Sequence, residues 1–137
     1  MSTHVVDASV VVKLFVDEPG SAEAERLVID GHELVAPELL LLEVANALHR
    51  KLQAQAILTD DLLPAIDRMQ RSLLDLRPVS ASVRRAVELA LIIDHPVYDC
   101  LYLALAEQLR APLVTADRRF LDAATRAGYG EAIHALA

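Results

Sequence analysis

The sequence predicts an α/β fold with a mostly parallel sheet that is covered by helices on both faces. Short aliphatic runs that suit buried strands alternate along the chain with longer stretches of helical periodicity. This alternation favours parallel strands joined by helices. The apolar fraction is 54%, with only 4% aromatic residues, which suits helices packed on a short aliphatic sheet. We expect one domain over residues 1–137, large enough to form a core without disulfides.

The first predicted elements are a short buried strand and two helical segments. The strand at 4–6 is followed by a helical or mixed segment at 8–16, which a Glu18-Pro19-Gly20 turn closes. A helix with a polar face spans residues 21–30, and Gly31 is suited to its C-cap.

The next elements are a second strand and two longer helices. The strand lies at 33–35, and Pro37, which is at home in a first helical turn, opens a helix to about residue 53. A further helix spans 59–75, where Thr59 can cap the N-terminus. The remaining elements are a strand at 76–79, a helix at 82–93, a break at His95-Pro96, a helix to about residue 110, a strand at 113–115, a helix at 118–127 and an edge strand at 133–135.

Composition limits the classes of function. The net charge is −7, from 13 basic and 20 acidic residues, so a nucleic-acid ligand would need bound cations or a basic partner to supply positive charge. Cys100 is the only cysteine, which excludes an intrachain disulfide and a cysteine zinc cluster and favours a reducing compartment. Asp7 and Lys13 interrupt the first apolar run, and the richest run, 39–48, is too short to span a bilayer. We therefore expect a cytoplasmic protein with no membrane association.

Two acidic residues follow predicted strands. Asp7 comes directly after the first strand, and Asp117 lies two residues beyond the strand that ends at Thr115. Ligands of open parallel sheets bind at the carboxyl ends of strands, near a switch point in strand order. Both residues are candidates for a binding site there, although each could instead cap the helix behind it.

Glu43 lies in the middle of an apolar helix. Its neighbours three and four positions away include Leu39, Leu40 and Ala47, so it shares the apolar stripe of the helix. A buried ionised carboxylate is costly unless it is paired with an arginine or binds a metal. Asn46, on the same face, is either a second polar group of the site or a packing amide.

Asp99 lies in the first turn of its helix, where the helix dipole alone would favour an acid. Tyr98 and Tyr102 are four positions apart, and we interpret both as core packing. Four acids held together would repel one another and raise one another's pKa values. A divalent cation would relieve that repulsion, and an all-oxygen site favours Mg²⁺ or Mn²⁺, which would also supply charge for binding phosphate.

The four acids occur in segments that resemble the PIN-domain nucleases, and within them the VapC-type toxins of toxin–antitoxin pairs. The segments appear in the order found in that family and cover nearly the whole chain. They are Val5-Val6-Asp7-Ala8-Ser9, Leu42-Glu43-Val44-Ala45-Asn46-Ala47-Leu48, Tyr98-Asp99-Cys100-Leu101-Tyr102-Leu103-Ala104-Leu105-Ala106 and Leu113-Val114-Thr115-Ala116-Asp117-Arg118-Arg119-Phe120.

The resemblance implies a three-layer α/β/α sandwich and an endoribonuclease that uses one or two Mg²⁺ or Mn²⁺ ions. It also implies a homodimer, silenced by a VapB-type antitoxin. The implied catalytic and metal-binding acids are Asp7, Glu43, Asp99 and Asp117. Ser9 and Thr115 match polar positions that support such a site, and Cys100 stands where a small residue is usual.

Positive residues near these segments are candidates for contact with RNA phosphate. Lys13 and Arg118 are the nearest in sequence to the acids, and Arg50, Lys51 and Arg119 are further candidates. For each of them, ordinary solvated surface charge is the alternative.

Four other functions remain open at this point. A stand-alone PIN nuclease of RNA processing would carry the same acids. A HAD-type phosphatase would need a second Asp where Ser9 stands, and a response-regulator receiver would need a Lys after Thr115, where Ala116-Asp117-Arg118 follows. A non-catalytic interaction module of the same fold would be expected to lack one or more of the acids, and all four are present.

Overall fold

The computed structural model describes residues 2–72 and 74–137, and a five-stranded sheet runs through its centre. The strands lie in the order β3-β2-β1-β4-β5, and each of the four pairs is parallel. The prediction of a mostly parallel sheet is therefore confirmed. The strands are β1 (Thr3–Val6), β2 (Glu33–Pro37), β3 (Asp75–Arg77), β4 (Leu113–Thr115) and β5 (Ile133–Ala135).

Helices cover both faces of the sheet and complete a three-layer α/β/α sandwich. One long helix, α6, lies against β1, β2 and β4 and carries α5 against it, whereas α1 and α3 contact β4 and β2, and α4 packs on α3. The helices are α1 (Ala8–Val11), α2 (Ser21–Ile29), α3 (Leu39–Gln53), α4 (Thr59–Gln70), α5 (Val83–Ile93), α6 (Val97–Leu109) and α7 (Arg118–Ala124).

The core lies where the aliphatic strands meet α6. Val5, Val6 and Leu113 on the central strands are fully buried, and seven consecutive residues of α6, from Cys100 to Ala106, are buried as well. A helix that is apolar on every side suits this position, because α6 has the sheet on one side and α5 on the other. The central strands and α6 thus give the acidic residues at their ends a firm support.

Pro37 does not open a helix as predicted. It is the last residue of β2 and pairs in register with Arg77 of β3, and α3 begins two residues later. Proline has no N–H for the ladder, but Glu38 supplies one by donating to the Arg77 carbonyl at 2.8 Å. The strand pairing therefore tolerates proline at this position.

Three other predicted ends also differ from the structure. The helix predicted over 59–75 ends at Gln70, because Asp75 belongs to β3 and pairs with Val35 of β2. Leu73, within the predicted helix, lies outside the described residues. Thr59 is the first helical residue rather than the cap, which is Leu58 with an extended backbone. The last predicted helix ends at Ala124, and the turn at Thr125–Tyr129 contains Gly128 with a φ of 97°, which a regular helix does not accept.

Among the described residues, no single helix is both long and apolar enough to cross a membrane. Helices α5 and α6 meet the criteria of length and composition only when taken together, and they are bent by 114° at the break between them.

A candidate metal centre at the switch point of the sheet

Asp7 and Asp117 lie at the point where the strand order reverses. From β1 the chain first crosses to β2 on one side and later returns to β4 on the other side. Asp7 follows Val6 of β1, and Asp117 follows Thr115 of β4, while Val6 and Val114 are paired in register. The two carboxylates therefore emerge side by side from neighbouring strands, at the edge where ligands of such sheets bind.

Asp7 is buried, with 6% of its surface exposed, and two hydroxyl groups hold it. Ser9 Oγ donates to one carboxylate oxygen and Thr115 Oγ1 donates to the other. Backbone N–H groups of Ala116 and Asp117 donate in turn to these hydroxyls, at 2.9 and 3.0 Å. Asp7 stands at the N-cap position of α1 but makes no side-chain capping bond, so capping does not explain its presence.

Burial raises the pKa of Asp7 to about 6, although the bonds from Ser9 and Thr115 lower it, and the nearby charge of Asp99 raises it further. Ionisation of Asp7 therefore costs more in the protein than in water. A divalent cation would offset that cost by binding the charged carboxylate.

Glu43 reaches the same region from α3. Its Oε1 accepts a hydrogen bond from the Tyr102 hydroxyl on α6, and no lysine or arginine among the described residues forms an ion pair with it. Burial raises the pKa of Glu43, the bond from Tyr102 lowers it, and the charge of Asp99 raises it. The arginine pairing considered for Glu43 is thus not what the structure shows.

The core packing predicted for the two tyrosines of α6 is confirmed for Tyr102 and wrong for Tyr98. Tyr102 is buried in the core, but Tyr98 is 65% exposed. Burial beside Glu43 raises the pKa of Tyr102, so its hydroxyl remains a protonated donor. Sequence reasoning missed this contact, although Tyr102 follows Asp99 by three positions and so lies on the same face of α6.

Asp99 lies in the first turn of α6 and contacts a histidine that sequence reasoning treated only as part of a chain break. His95 Nε2 lies 2.6 Å from Asp99 Oδ2. Burial raises the pKa of Asp99, its contact with His95 lowers it, and Asp117 raises it. The available signal was the spacing of four between His95 and Asp99, which brings side chains together at a helix start.

Asp117 caps α7, as the alternative reading proposed. Its Oδ1 accepts from the backbone N–H groups of Arg119 at 3.0 Å and Phe120 at 3.3 Å. Capping does not separate it from the other acids, because a carboxylate oxygen of Asp117, one of Asp99 and a ring nitrogen of His95 all lie within 4.8 Å of one another.

A cleft of about 420 Å³ contains all four acids. Ser9 also lines it, Thr115 contacts Asp7 beneath it, and Asn46 lines it without a hydrogen bond to any of the four acids in the described part of the chain. The donor set is four carboxylates, and among the described residues no lysine or arginine forms an ion pair with any of them, which fits a hard divalent cation. The acids lining the cleft are Asp7, Glu43, Asp99 and Asp117.

Positive charge lies at one side of this cleft. Lys13, Arg50 and Lys51 line it. Glu18 bridges the two lysines, with Nζ–Oε distances of 3.1 Å to Lys13 and 2.6 Å to Lys51. Sequence reasoning did not identify Glu18. Arg118 does not line the cleft but lies in an adjoining cavity of about 310 Å³, which shares Lys13 and Asp117 with it.

Comparisons with known proteins agree on one family. The family described as "PIN domain" matches residues 4–125. Ribonuclease VapC3 of Pyrobaculum aerophilum is 32% identical over 120 residues, which are 86% of this chain and 92% of that protein. The fold resembles Mycobacterium tuberculosis VapC20, described as a sarcin-ricin loop cleaving toxin, with a TM-score of 0.71, 17% identity and coverage of 91% and 95%. It also resembles a toxin-antitoxin complex from Klebsiella pneumoniae, with a TM-score of 0.61, 20% identity and coverage of 83% and 86%.

Proposed function

Because this chain belongs to the PIN-domain family, we propose that it is a divalent-metal-dependent endoribonuclease and the toxin of a toxin–antitoxin pair, acting in the cytoplasm. The observation that carries the proposal is the meeting of four carboxylates in one cleft, none of which forms an ion pair with a lysine or arginine among the described residues. Family membership leaves the HAD-type and receiver alternatives without support. A stand-alone PIN nuclease would share this chemistry and differ only in its partner.

In this proposal Asp7, Glu43, Asp99 and Asp117 are the metal ligands, and Mg²⁺ or Mn²⁺ is the ion. When bound, the ion supplies Lewis-acid chemistry, activating water for attack on phosphorus and neutralising charge that builds on the leaving oxygen. The carboxylates act as ligands rather than as proton carriers.

The remaining polar groups of the site position these ligands. Ser9 and Thr115 fix both oxygens of Asp7, and Tyr102 fixes one oxygen of Glu43. Such supporting bonds orient metal ligands and tune their affinity. Asn46 lines the cleft, and we assign it a supporting role as a further polar group facing the substrate.

RNA contact is proposed for the positive residues beside the acids. Lys13 lies between the cleft and the adjoining cavity, and Arg118 lies in that cavity. Phosphates next to the cleaved bond would meet both side chains there. With a net charge of −7, this local positive charge and the metal must together supply the attraction for RNA.

A homodimer is proposed through an apolar face of α5. Val83, Val87 and Leu91 follow one another at intervals of four residues, so they form a stripe along one side of the helix, and all three are exposed. Tyr98 at the start of α6 is exposed as well. A stripe of this kind suits a two-fold contact with a second copy.

We further propose that a VapB-type antitoxin silences the enzyme.

Induced expression in a bacterial host tests the proposed toxin activity. Wild-type protein is expected to stop growth and to leave cleaved RNA, detected as new 5′ ends by sequencing, whereas Asp99→Asn is expected to do neither. Asp122→Asn is the matched control, because Asp122 is an exposed acid on α7 outside the cleft. Growth arrest and RNA cleavage that persist in Asp99→Asn would contradict the proposal.

A further inference from the structure

We propose that His95 is a nitrogen ligand of the catalytic cation, so that the site is a mixed nitrogen and oxygen site that selects Mn²⁺ over Mg²⁺. The proposal rests on the metal-dependent function described above and adds a residue and an ion preference to it. Its basis is the position of His95 among the acids, not its place in the sequence.

The imidazole is within reach of a shared ion. Its Nε2 lies 2.6 Å from Asp99 Oδ2, and a ring nitrogen of His95 and carboxylate oxygens of Asp99 and Asp117 are all within 4.8 Å of one another. Ligands on opposite sides of one ion, each at 2.0–2.2 Å, are separated by about 4 Å. The three side chains therefore lie close enough to share one cation after small side-chain adjustments.

The ring is held in place before any ion binds. It stacks on Phe120, with 4.8 Å between ring centroids and 16° between the ring planes, and Phe120 is fully buried. Phe120 lies three residues after Asp117 on α7, so the same short helix carries a ligand and the support for a second one. A site built on rigid elements binds its ion with little reorganisation.

A nitrogen donor changes which ion the site prefers. Mg²⁺ takes oxygen ligands almost exclusively, whereas imidazole suits transition metals. Replacing one oxygen by an imidazole nitrogen in a carboxylate site therefore favours Mn²⁺ relative to Mg²⁺. The four acids alone would give the all-oxygen site expected from the sequence.

The competing role for His95 is that of a positioning residue. In that role Nε2 carries a hydrogen and donates a hydrogen bond to Asp99, which orients the carboxylate without contact between the histidine and the metal. One ring nitrogen cannot donate a hydrogen bond to Asp99 and bind an ion at the same time. The two roles therefore predict different spectra and different effects of substitution.

Pulsed electron paramagnetic resonance of the Mn²⁺-loaded protein tests the proposal directly. Wild-type protein and the control His49→Gln are expected to show coupling of Mn²⁺ to an imidazole ¹⁴N; His49 is an exposed histidine on α3. His95→Gln is expected to lose the coupling. Absence of ¹⁴N coupling in the wild-type protein would overturn the assignment.

Binding constants for Mn²⁺ and Mg²⁺ provide a second readout on folded variants. Glutamine retains a donor for Asp99 and offers a hard oxygen, so His95→Gln is expected to lower the ratio of Mn²⁺ to Mg²⁺ affinity about tenfold or more. His95→Phe removes both the hydrogen-bond donor to Asp99 and the atom that could bind the metal. An unchanged ratio in His95→Gln, with both affinities lowered equally in His95→Phe, would identify a positioning residue and overturn the proposal.

RNA cleavage on the same samples separates this proposal from the function on which it rests. Mn²⁺ bound with ¹⁴N coupling but without cleavage would contradict the ribonuclease function and support the ligand assignment. Cleavage that depends on Mn²⁺ without ¹⁴N coupling would do the reverse. Failure of the wild-type protein to bind Mn²⁺ would contradict both.

Discussion

At the scale of single residues, ionisation of the buried Asp7 lowers the free energy of unfolding. Its pKa is raised to about 6, mainly by burial, so the folded protein favours the protonated form. Because the folded state binds this proton more tightly than the unfolded state, the proton stabilises the fold. This stabilisation is fully present below the unfolded pKa of 3.8 and is lost as the pH rises through about 6. Between pH 5.0 and 7.5 the loss amounts to about 1 kcal/mol in the absence of metal.

Asp7→Asn should remove most of this pH dependence, because asparagine does not titrate. Urea denaturation in EDTA at pH 5.0 and 7.5 measures the effect. We expect the free energy of unfolding of the wild type to fall by about 1 kcal/mol more than that of the variant. Equal changes in the two proteins would show that burial does not raise the pKa of Asp7.

The Tyr102 hydroxyl is a support that substitution can remove without emptying the core. Tyr102→Phe keeps the buried ring but leaves Glu43 without its donor, which should raise the pKa of Glu43 further and weaken metal affinity about tenfold. The measurement is the metal concentration that gives half-maximal RNA cleavage. Tyr98→Phe is the control, because Tyr98 is exposed one turn earlier. The same metal requirement in Tyr102→Phe and Tyr98→Phe would contradict a supporting role.

The candidate acids could be identified from the sequence, whereas their supports could not. Glu43 interrupts a leucine-rich helix, and Asp7 and Asp117 come soon after apolar strands. These acids can be recognised in the sequence because they break the local apolar pattern. Tyr102 and His95 contradict nothing, because a tyrosine on an apolar helix is usually core and a His-Pro pair is usually a break. Their contacts depend on how α3, α6 and α7 meet, which local patterns do not contain.

At the scale of elements, the segment before α2 and the end of α3 bring three basic side chains, Lys13, Arg50 and Lys51, to the cleft. Glu18 in the loop before α2 bridges Lys13 and Lys51, and Lys13 also donates to the Pro19 carbonyl at 2.8 Å. Gly20, with a φ of 95°, lies against the Lys13 stem; a Cβ at that position would stand 3.0 Å from Lys13 Cδ and Cε. The backbone of the loop therefore fixes where the lysine lies.

Lys13→Gln tests the proposed contact with phosphate. Removing one phosphate contact should raise KM for RNA several-fold and lower the slope of log affinity against log salt by about 1, while kcat changes little. Arg71→Gln, at an exposed arginine outside the cleft, is the control. An unchanged salt slope would mean that Lys13 serves only its ion pair with Glu18.

The stripe on α5 makes a separate prediction about assembly. Leu91 is 81% exposed, so Leu91→Glu should leave the fold intact yet place a charge within the proposed two-fold contact. Light scattering after size-exclusion chromatography should show a shift from dimer to monomer. Ile29→Glu, at an equally exposed residue at the end of α2, should remain a dimer. Dimers in both variants would place the contact elsewhere.

Element identity was predicted well because each segment carries its own period, but element ends depend on pairing. Pro37 joins β2, and Asp75 joins β3 rather than the preceding helix, because the two strands pair with each other. Such pairing joins residues about 40 positions apart, which no local pattern indicates. The parallel direction of the strands, in contrast, followed from the alternation of strands and helices, whereas their order in the sheet, and so the place of the switch point, did not.

At the scale of the whole molecule, charge predicts the order in which metal and RNA bind. With a net charge of −7 and four carboxylates lining the cleft, we expect weak attraction for RNA phosphate until a cation occupies the cleft. Metal binding and RNA binding would then be coupled, so removal of the metal should weaken RNA binding as well as abolish cleavage. Asp7 and Asp117 follow central strands, and Glu43 and Asp99 lie on helices that pack against the sheet, so the fold holds the four acids together.

The most direct measurement is RNA cleavage by purified protein in Mg²⁺ or Mn²⁺, in EDTA, and after excess metal is restored to the EDTA sample, beside Asp99→Asn. We expect cleavage that EDTA abolishes, that added metal restores, and that Asp99→Asn lacks under every condition. Cleavage that survives both EDTA and Asp99→Asn would contradict a metal-dependent site built on the four carboxylates.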